Sequence, residues 1–195
     1  MTARYRSIFV TAIAAILLAS AAFFIFQMLN NKTHVDGDEA IATDIDVAIQ
    51  NSQVVVMGKV LDDGKGRNLR RDSKDPSKED SEVVVPGTDY TVLVTKVLKG
   101  SVEPNSQIKV AVGGGDYKGK KSKLRASVKN DEEYLFTLAT AGAGHPNYYG
   151  IIEPFIYQIK NNKVVAISNI EKYKVAFQET NITEEELFSK YKETK

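Results

Sequence analysis

YTVLVTKVL, residues 90–98, is a run of β-branched and aromatic residues closed by Lys99-Gly100. Such a run fits a pleated, buried surface and reads as a strand ended by a glycine. Upstream, Glu82–Val85 precedes it, and the two predict one long strand interrupted at Pro86-Gly87. Further upstream, SQVVVMGKVL (52–61) predicts another strand, half to fully buried. Downstream, SVEPNS (101–106) is a turn, QIKVAV (107–112) a strand, Gly113-Gly114-Gly115 a bend, and EYLFTLA (133–139) a further strand. YYGIIEPFIYQIK (148–160) is an aromatic-rich strand region broken near Pro154, and Asn161-Asn162-Lys163 turns it into a hairpin with Val164–Ile167. Five or six strands at short intervals, with turn residues between them, predict a mainly β chain and a small antiparallel barrel rather than a parallel sheet.

Two helices flank the strands. Residues 38–50 place Ile41, Ile45, Ala48 and Ile49 at helical spacing, with Asp38 and Glu39 near the start, where the helix dipole favours acids. Thr183-Glu184-Glu185-Glu186 is a capping box, and Leu187, Phe188 and Tyr191 form the apolar stripe of a C-terminal helix.

Before the strands lies IFVTAIAAILLASAAFFIFQML, 22 uncharged and mostly apolar residues from Ile8 to Leu29. That length suffices to span about 30 Å of hydrocarbon as one helix. Arg4 and Arg6 precede it and no basic residue follows until Lys32, which orients residues 1–7 toward the cytoplasm and the chain beyond the run outward. The expected organisation is a cytoplasmic tail (1–7), a transmembrane signal-anchor (8–29), a polar spacer (30–37) and an extracytoplasmic domain (38–195). A second reading stays open: Ala19-Ser20-Ala21 fits a signal-peptidase site, and cleavage there would release a secreted protein. The apolar run continues past that site to Leu29, which favours the anchor.

The chain has no cysteine, so disulfides, thiol catalysis, cysteine zinc sites and a lipid-modified cysteine are all excluded. An exported eukaryotic domain of this size would be expected to carry disulfides, which leans the reading toward a bacterial exported protein. After residue 29 the chain holds 24 Lys and Arg against 25 Asp and Glu, a balance that gives no global field for nucleic acid. The charges are nevertheless concentrated. In residues 62–82 (DDGKGRNLRRDSKDPSKEDSE) 13 of 21 are charged and Leu69 is the one large apolar residue, which predicts a mobile loop. Arg67, Arg70 and Arg71 are its candidate contact residues. Residues 117–129 (YKGKKSKLRASVK) form the basic stretch, with Lys118, Lys120, Lys121, Lys123 and Arg125 as candidates for contact with anionic lipid, a wall polymer or an acidic protein.

The order of pieces carries a resemblance. A helix leads into Ser52–Val60, a variable loop follows, then Tyr90–Gly100, then Ile108-Lys109-Val110 with its glycines, then Asp131–Leu138. Over residues 40–140 this resembles exported bacterial members of the netrin-like superfamily, which includes the tissue inhibitors of metalloproteinases. The resemblance implies an OB-like five-stranded barrel and a binding role. In the animal inhibitors an N-terminal cysteine chelates the protease zinc. With no cysteine here, that mechanism does not carry over.

No catalytic set emerges. His34 lies in the spacer and His145 in Gly144-His145-Pro146, too isolated for a triad or a histidine metal site. Gly114, Gly119 and Lys120 match a phosphate loop on paper, but Lys121 stands where the magnesium-binding hydroxyl belongs. Asp131-Glu132-Glu133 are adjacent in or beside a strand, so neighbours point to opposite faces. Tyr148, Tyr149, Phe155 and Tyr157 read as barrel filling. The expected function is a membrane-tethered, non-enzymatic binding module without cofactor, whose partner is the membrane and an envelope protein or an anionic wall or lipid surface. The alternative is an envelope hydrolase or protease-inhibitor-like protein secreted after cleavage near Ala21.

Overall fold

The computed structural model of the chain describes residues 40–141 and 147–192. The expected membrane segment, the spacer with His34, the 142–146 stretch with His145, and Asp38 and Glu39 lie outside the described residues. No helix among the described residues is long and apolar enough to cross a membrane.

In chain order the elements are α1 (Ile45–Gln50), β1 (Val54–Val60), β2 (Lys65–Asn68), β3 (Pro86–Lys99), β4 (Gln107–Gly113), β5 (Gly115–Tyr117), β6 (Lys120–Ser122) and β7 (Glu133–Thr140). They continue as β8 (Asn147–Tyr149), β9 (Ile156–Lys160), β10 (Lys163–Ala166), α2 (Glu171–Ala176), β11 (Thr180–Asn181) and α3 (Glu184–Lys192). The chain is mainly β, and five strands close a ring. β1 pairs antiparallel with β3 on one side and with β7 on the other. β3 pairs with β4 from Gly87↔Gly113 to Leu93↔Gln107. β4 runs parallel to β8, with Lys109 opposite Asn147, and β8 returns antiparallel to β7. This closed five-stranded barrel is compatible with an OB-like fold.

Closure works because β3 serves two neighbours in turn. Its 14 residues pair with β4 through the first half and with β1 through the second. The turn from one to the other is taken up by register shifts at Val55/Val56 and Met57/Gly58 in β1. Gly58 sits where β3 leaves little room for a side chain: a Cβ there would lie 2.4 Å from Val92 Cγ1 and 3.1 Å from the Leu93 carbonyl oxygen.

The strands sort their apolar side chains between two cores. Val54, Val56, Val60, Val92, Val94, Val110, Phe136 and Leu138 fill the barrel. Val55, Met57, Leu135 and Tyr157 point outward, where they meet Ile45 and Ile49 of α1 and Leu187 of α3. A strand covered on both faces reads as a continuous apolar run, which is why VVVMGKV lacks alternation. Asn161 and Asn162, at φ 51° and 60°, form the tight turn between β9 and β10 that their identity predicts. The capping box at α3 is reciprocal: the Glu186 N–H donates to Thr183 Oγ1 at 3.1 Å, and the Thr183 N–H donates to Glu186 Oε2 at 2.8 Å.

Three expectations are corrected. The first helix begins at Asp44, whose carboxylate accepts the Val47 N–H at 2.8 Å, and not near residue 38; the Ala42 N–H is taken by the Glu153 carbonyl, which draws Ile41 into a bridge with Glu153. Pro86-Gly87 does not interrupt a strand but begins one, a position where the missing proline N–H costs no ladder bond. Residues 62–82 are not structureless: β2 lies within them and pairs with β3 from Lys65↔Asp89 to Asn68↔Pro86.

Two outcomes follow. Gly58→Ala forces backbone or Val92 to move and is expected to lower stability by about 1–3 kcal/mol in urea unfolding; an unchanged midpoint would show that the crossing has slack. The second concerns α3, which is held by Lys190 Nζ and Tyr191 Oη donating to Asp46 at 2.6 and 2.5 Å, and by a Lys96–Glu184 ion pair. Burial pushes the Asp46 carboxyl up, but the hydrogen bonds from Lys190 and Tyr191 outweigh it and leave the group below the ordinary aspartate range. A carboxyl with a depressed folded pKa contributes stability above its unfolded value and loses it as pH falls through the folded value. Protection of the α3 amides, relative to their intrinsic exchange at each pH, is therefore expected to fall below about pH 4 and to lose that acid step in Asp46→Asn.

Candidate functional site

The two charged stretches, separate in sequence, meet at one rim of the barrel, where β3 begins and β4 ends. The organiser of the first is Asn68, whose side chain is almost wholly inaccessible. Its Nδ2 donates to the Asp80 and Val83 carbonyls at 2.9 and 2.8 Å, and its Oδ1 accepts the Arg70 and Val85 N–H groups at 3.0 and 2.8 Å. One buried amide thus ties both ends of a 17-residue span. Local carboxylates shape the interior of that span. Asp72 Oδ1 accepts the N–H groups of Lys74 and Asp75, and Asp80 Oδ1 those of Glu82 and Val83. Aspartates favour such turns because the short side chain reaches the backbone two or three residues on.

The second stretch is a hairpin. Beyond Gly113, Gly114 and Gly115 take φ of 91° and 115°, which swings the chain out of β4 into β5 and β6. β5 and β6 pair as Gly115↔Ser122, Asp116↔Lys121 and Tyr117↔Lys120, with Lys118 and Gly119 at the turn. Three contacts fasten this hairpin to the first loop and to β3. Tyr117 Oη donates to Glu79 Oε2 at 2.6 Å, and Thr88 Oγ1 donates to the Gly114 carbonyl at 2.9 Å. The Asp116 carbonyl oxygen lies so close to Gly66 that a Cβ there would stand 2.2 Å away.

The structure distributes the candidate cations unequally. Arg67 is withdrawn from solvent: its Nη1 donates to both carboxylate oxygens of Asp89, at 3.1 and 2.8 Å, and it supports β2 against β3. It is a structural residue of the rim and is corrected as an exposed contact. Arg70 is exposed and lies 3.9 Å from Asp80 Oδ2, while Arg71 is half-buried and bridges to Glu79 through the backbone. Arg125 lies beside Gly113 and pairs with Glu153 at 3.3 Å. Lys121 pairs with Asp116 at 3.3 Å. Lys118, Lys120 and Lys123 are exposed and make no ion pair among the described residues; Lys118 lies over the Tyr117 ring, 5.2 Å from its centroid.

Three carboxylates are committed to structure. The Asp75 carboxyl is lowered chiefly by the Ser77 hydroxyl and Lys78, Asp80 by the Val83 and Glu82 N–H groups, and Glu132 by Tyr134, Gln158 and Lys129. A general acid needs the opposite displacement. Among the described residues no group of three or more His, Asp or Glu side chains could hold a metal ion. At the far end of β4, Ser101, Glu103, Gln107, Lys109 and Tyr148 line an open groove of about 440 Å³.

Sequence reasoning missed Asn68 and the meeting of the two stretches. Asn68 had one local signal, a lone amide before Leu69 in a charged run, but its partners lie up to 17 residues away. No protein-family model and no curated protein matches the chain.

The Tyr117–Glu79 bond predicts coupling across the rim. A double-mutant cycle of Tyr117→Phe and Glu79→Gln is expected to give about 0.5–1.5 kcal/mol of interaction energy; strictly additive variants would mean that hairpin and loop are independent.

Proposed function

We propose that the chain is a netrin-like, OB-like binding barrel held outside a bacterial membrane by residues 8–29, and that it acts as a non-enzymatic interaction module through the rim described above. The observation that carries this reading is the fastening of two charged segments onto one end of the barrel, where buried Asn68 and the Tyr117–Glu79 bond hold them in a defined shape. Ordering such polar chain costs about 1–2 kcal/mol per residue in backbone entropy alone. Shape maintained in segments that contribute little apolar burial suits a surface that other molecules contact.

The carboxylates support the same reading. Those with displaced pKa values lie below their ordinary range through hydrogen bonds that build turns and ties between strands. That role favours a scaffold over a hydrolase. The five-stranded ring supports the OB-like assignment, and the uninterrupted apolar run to Leu29 supports anchoring.

Photo-crosslinking from Lys74, exposed on the first loop, is expected to trap a discrete envelope component in intact cells. No crosslink, together with hydrolysis of a wall substrate by the purified chain, would overturn the binding role. A mature N-terminus at Ala22 in a protein that fractionates away from membranes would overturn the anchor.

A further inference from the structure

We propose that the β5–β6 hairpin, with Val83 and Val85 at its base, docks on an anionic lipid surface. This rests on the reading that residues 8–29 hold the chain at a membrane, and it assigns the kind of surface that the rim meets there.

The hairpin presents an open turn to solvent. Lys118 and Gly119, at φ 49° and 78°, form its two-residue turn, and a Cβ added to Gly119 would meet nothing within 4 Å. Thr88–Gly114 fixes its root, and Tyr117–Glu79 holds the residue beside the turn against the first loop, so the turn lysines are presented at a fixed place on the rim. Along the hairpin Lys121 is neutralised by Asp116, whereas Lys118, Lys120 and Lys123 carry their charge without a carboxylate partner among the described residues. Elsewhere on the rim Arg67 is matched by Asp89, Arg70 by Asp80 and Lys78 by Asp75, while Lys65, Arg71 and Lys74 make no side-chain ion pair among the described residues. The hairpin gathers three of the unmatched cations, Lys118, Lys120 and Lys123, within six residues.

A second observation selects the partner. Val83 and Val85 are 49% and 44% exposed at the edge of a charged loop. Val85 stands beside the hairpin root, because the Gly114 N–H donates to the carbonyl of its neighbour Pro86 at 3.0 Å, and Val83 lies two residues further back on the loop. Bare lysines alone would suit any polyanion. Lysines flanked by exposed valines suit an interface that offers phosphate at one depth and hydrocarbon just below it. A hydrophilic wall polymer offers nothing to the valines. In sequence, only residues 30–39 separate the apolar run from the first described residue, which holds the effective concentration of lipid high.

The chain has no cysteine, so Ser122→Cys gives one labelling position on the hairpin. The labelled full chain is reconstituted into vesicles of phosphatidylcholine, alone or with roughly a third phosphatidylglycerol, and fluorescence quenching by lipids carrying a headgroup nitroxide is measured. Quenching is expected to be at least about threefold stronger with the anionic lipid and to fall in about 1 M salt. The triple variant K118E/K120E/K123E is expected to abolish the difference, and V83S/V85S to reduce quenching while leaving its salt dependence. Thermal unfolding matching that of the parent will show that each variant is folded. Equal quenching in both lipids overturns the proposal. So does retention of soluble polyphosphate, or a crosslink from the hairpin to an acidic protein, without lipid quenching. A chain that captures its envelope component yet shows no quenching overturns this inference alone. A chain that washes off the vesicles overturns the anchoring, and this inference with it.

Discussion

Strand β1 is enclosed on four sides, and the rest of the molecule is arranged around that fact. β3 and β7 take up its backbone on either edge, so it has no free edge at all. Val54, Val56 and Val60 face the barrel interior, while Val55 and Met57 face the layer under α1 and α3. Burying each such side chain contributes roughly 1.5–3 kcal/mol before entropy is counted. The two cores are joined through this strand, through β7, where Phe136 and Leu138 look inward and Leu135 outward, and through β9, where Ile156 looks inward and Tyr157 outward. Gly58 is the geometric condition for it, since the crossing of β3 leaves no room for a side chain.

With burial concentrated there, the rim is released from filling a core and is organised by polar chemistry instead. Asn68 supplies four side-chain hydrogen bonds from a buried position, where unsatisfied groups would be costly and satisfied ones are correspondingly specific. Arg67 and Asp89 form the one well-shielded ion pair of this region, with geometry that makes removal of either partner costly. Exposed pairs such as Lys78–Asp75 contribute little to stability, about 0–1 kcal/mol. Their consequence is electrostatic: they cancel charge locally, whereas Lys118, Lys120 and Lys123 of the hairpin are not cancelled in this way.

How far the sequence could be read depends on how local each determinant is. QIKVAV and EYLFTLA appear as strands in the text and in the fold because alternation or continuous burial is written into neighbouring residues. Asn161-Asn162 and the box at Thr183 are likewise legible, since each turn or cap is made within four residues. β2 and the β5–β6 hairpin are not legible. KGRN has no apolar pattern, and it becomes a strand because β3 offers a free edge to it. The start of the first helix is misread for a related reason: Ile41 has helical spacing, but the Glu153 carbonyl, far along the chain, claims the backbone beside it.

Residue chemistry by itself therefore determined the mainly β class, the absence of thiol chemistry, the apolar run at Ile8–Leu29 and the two concentrations of charge. These are properties of composition and short-range pattern. Only the tertiary structure decided which charges remain available. Arg67 and Lys118 are both cations in polar stretches, yet one is buried against Asp89 and the other stands at an open turn. That difference comes from the antiparallel pairing of β2, β3 and β4, which lays the start of β3 beside the end of β4 and sets two distant loops side by side. Charge is a property of a residue, but its pairing is a property of the fold, because a partner must lie within a few ångströms in space and need not lie near in sequence.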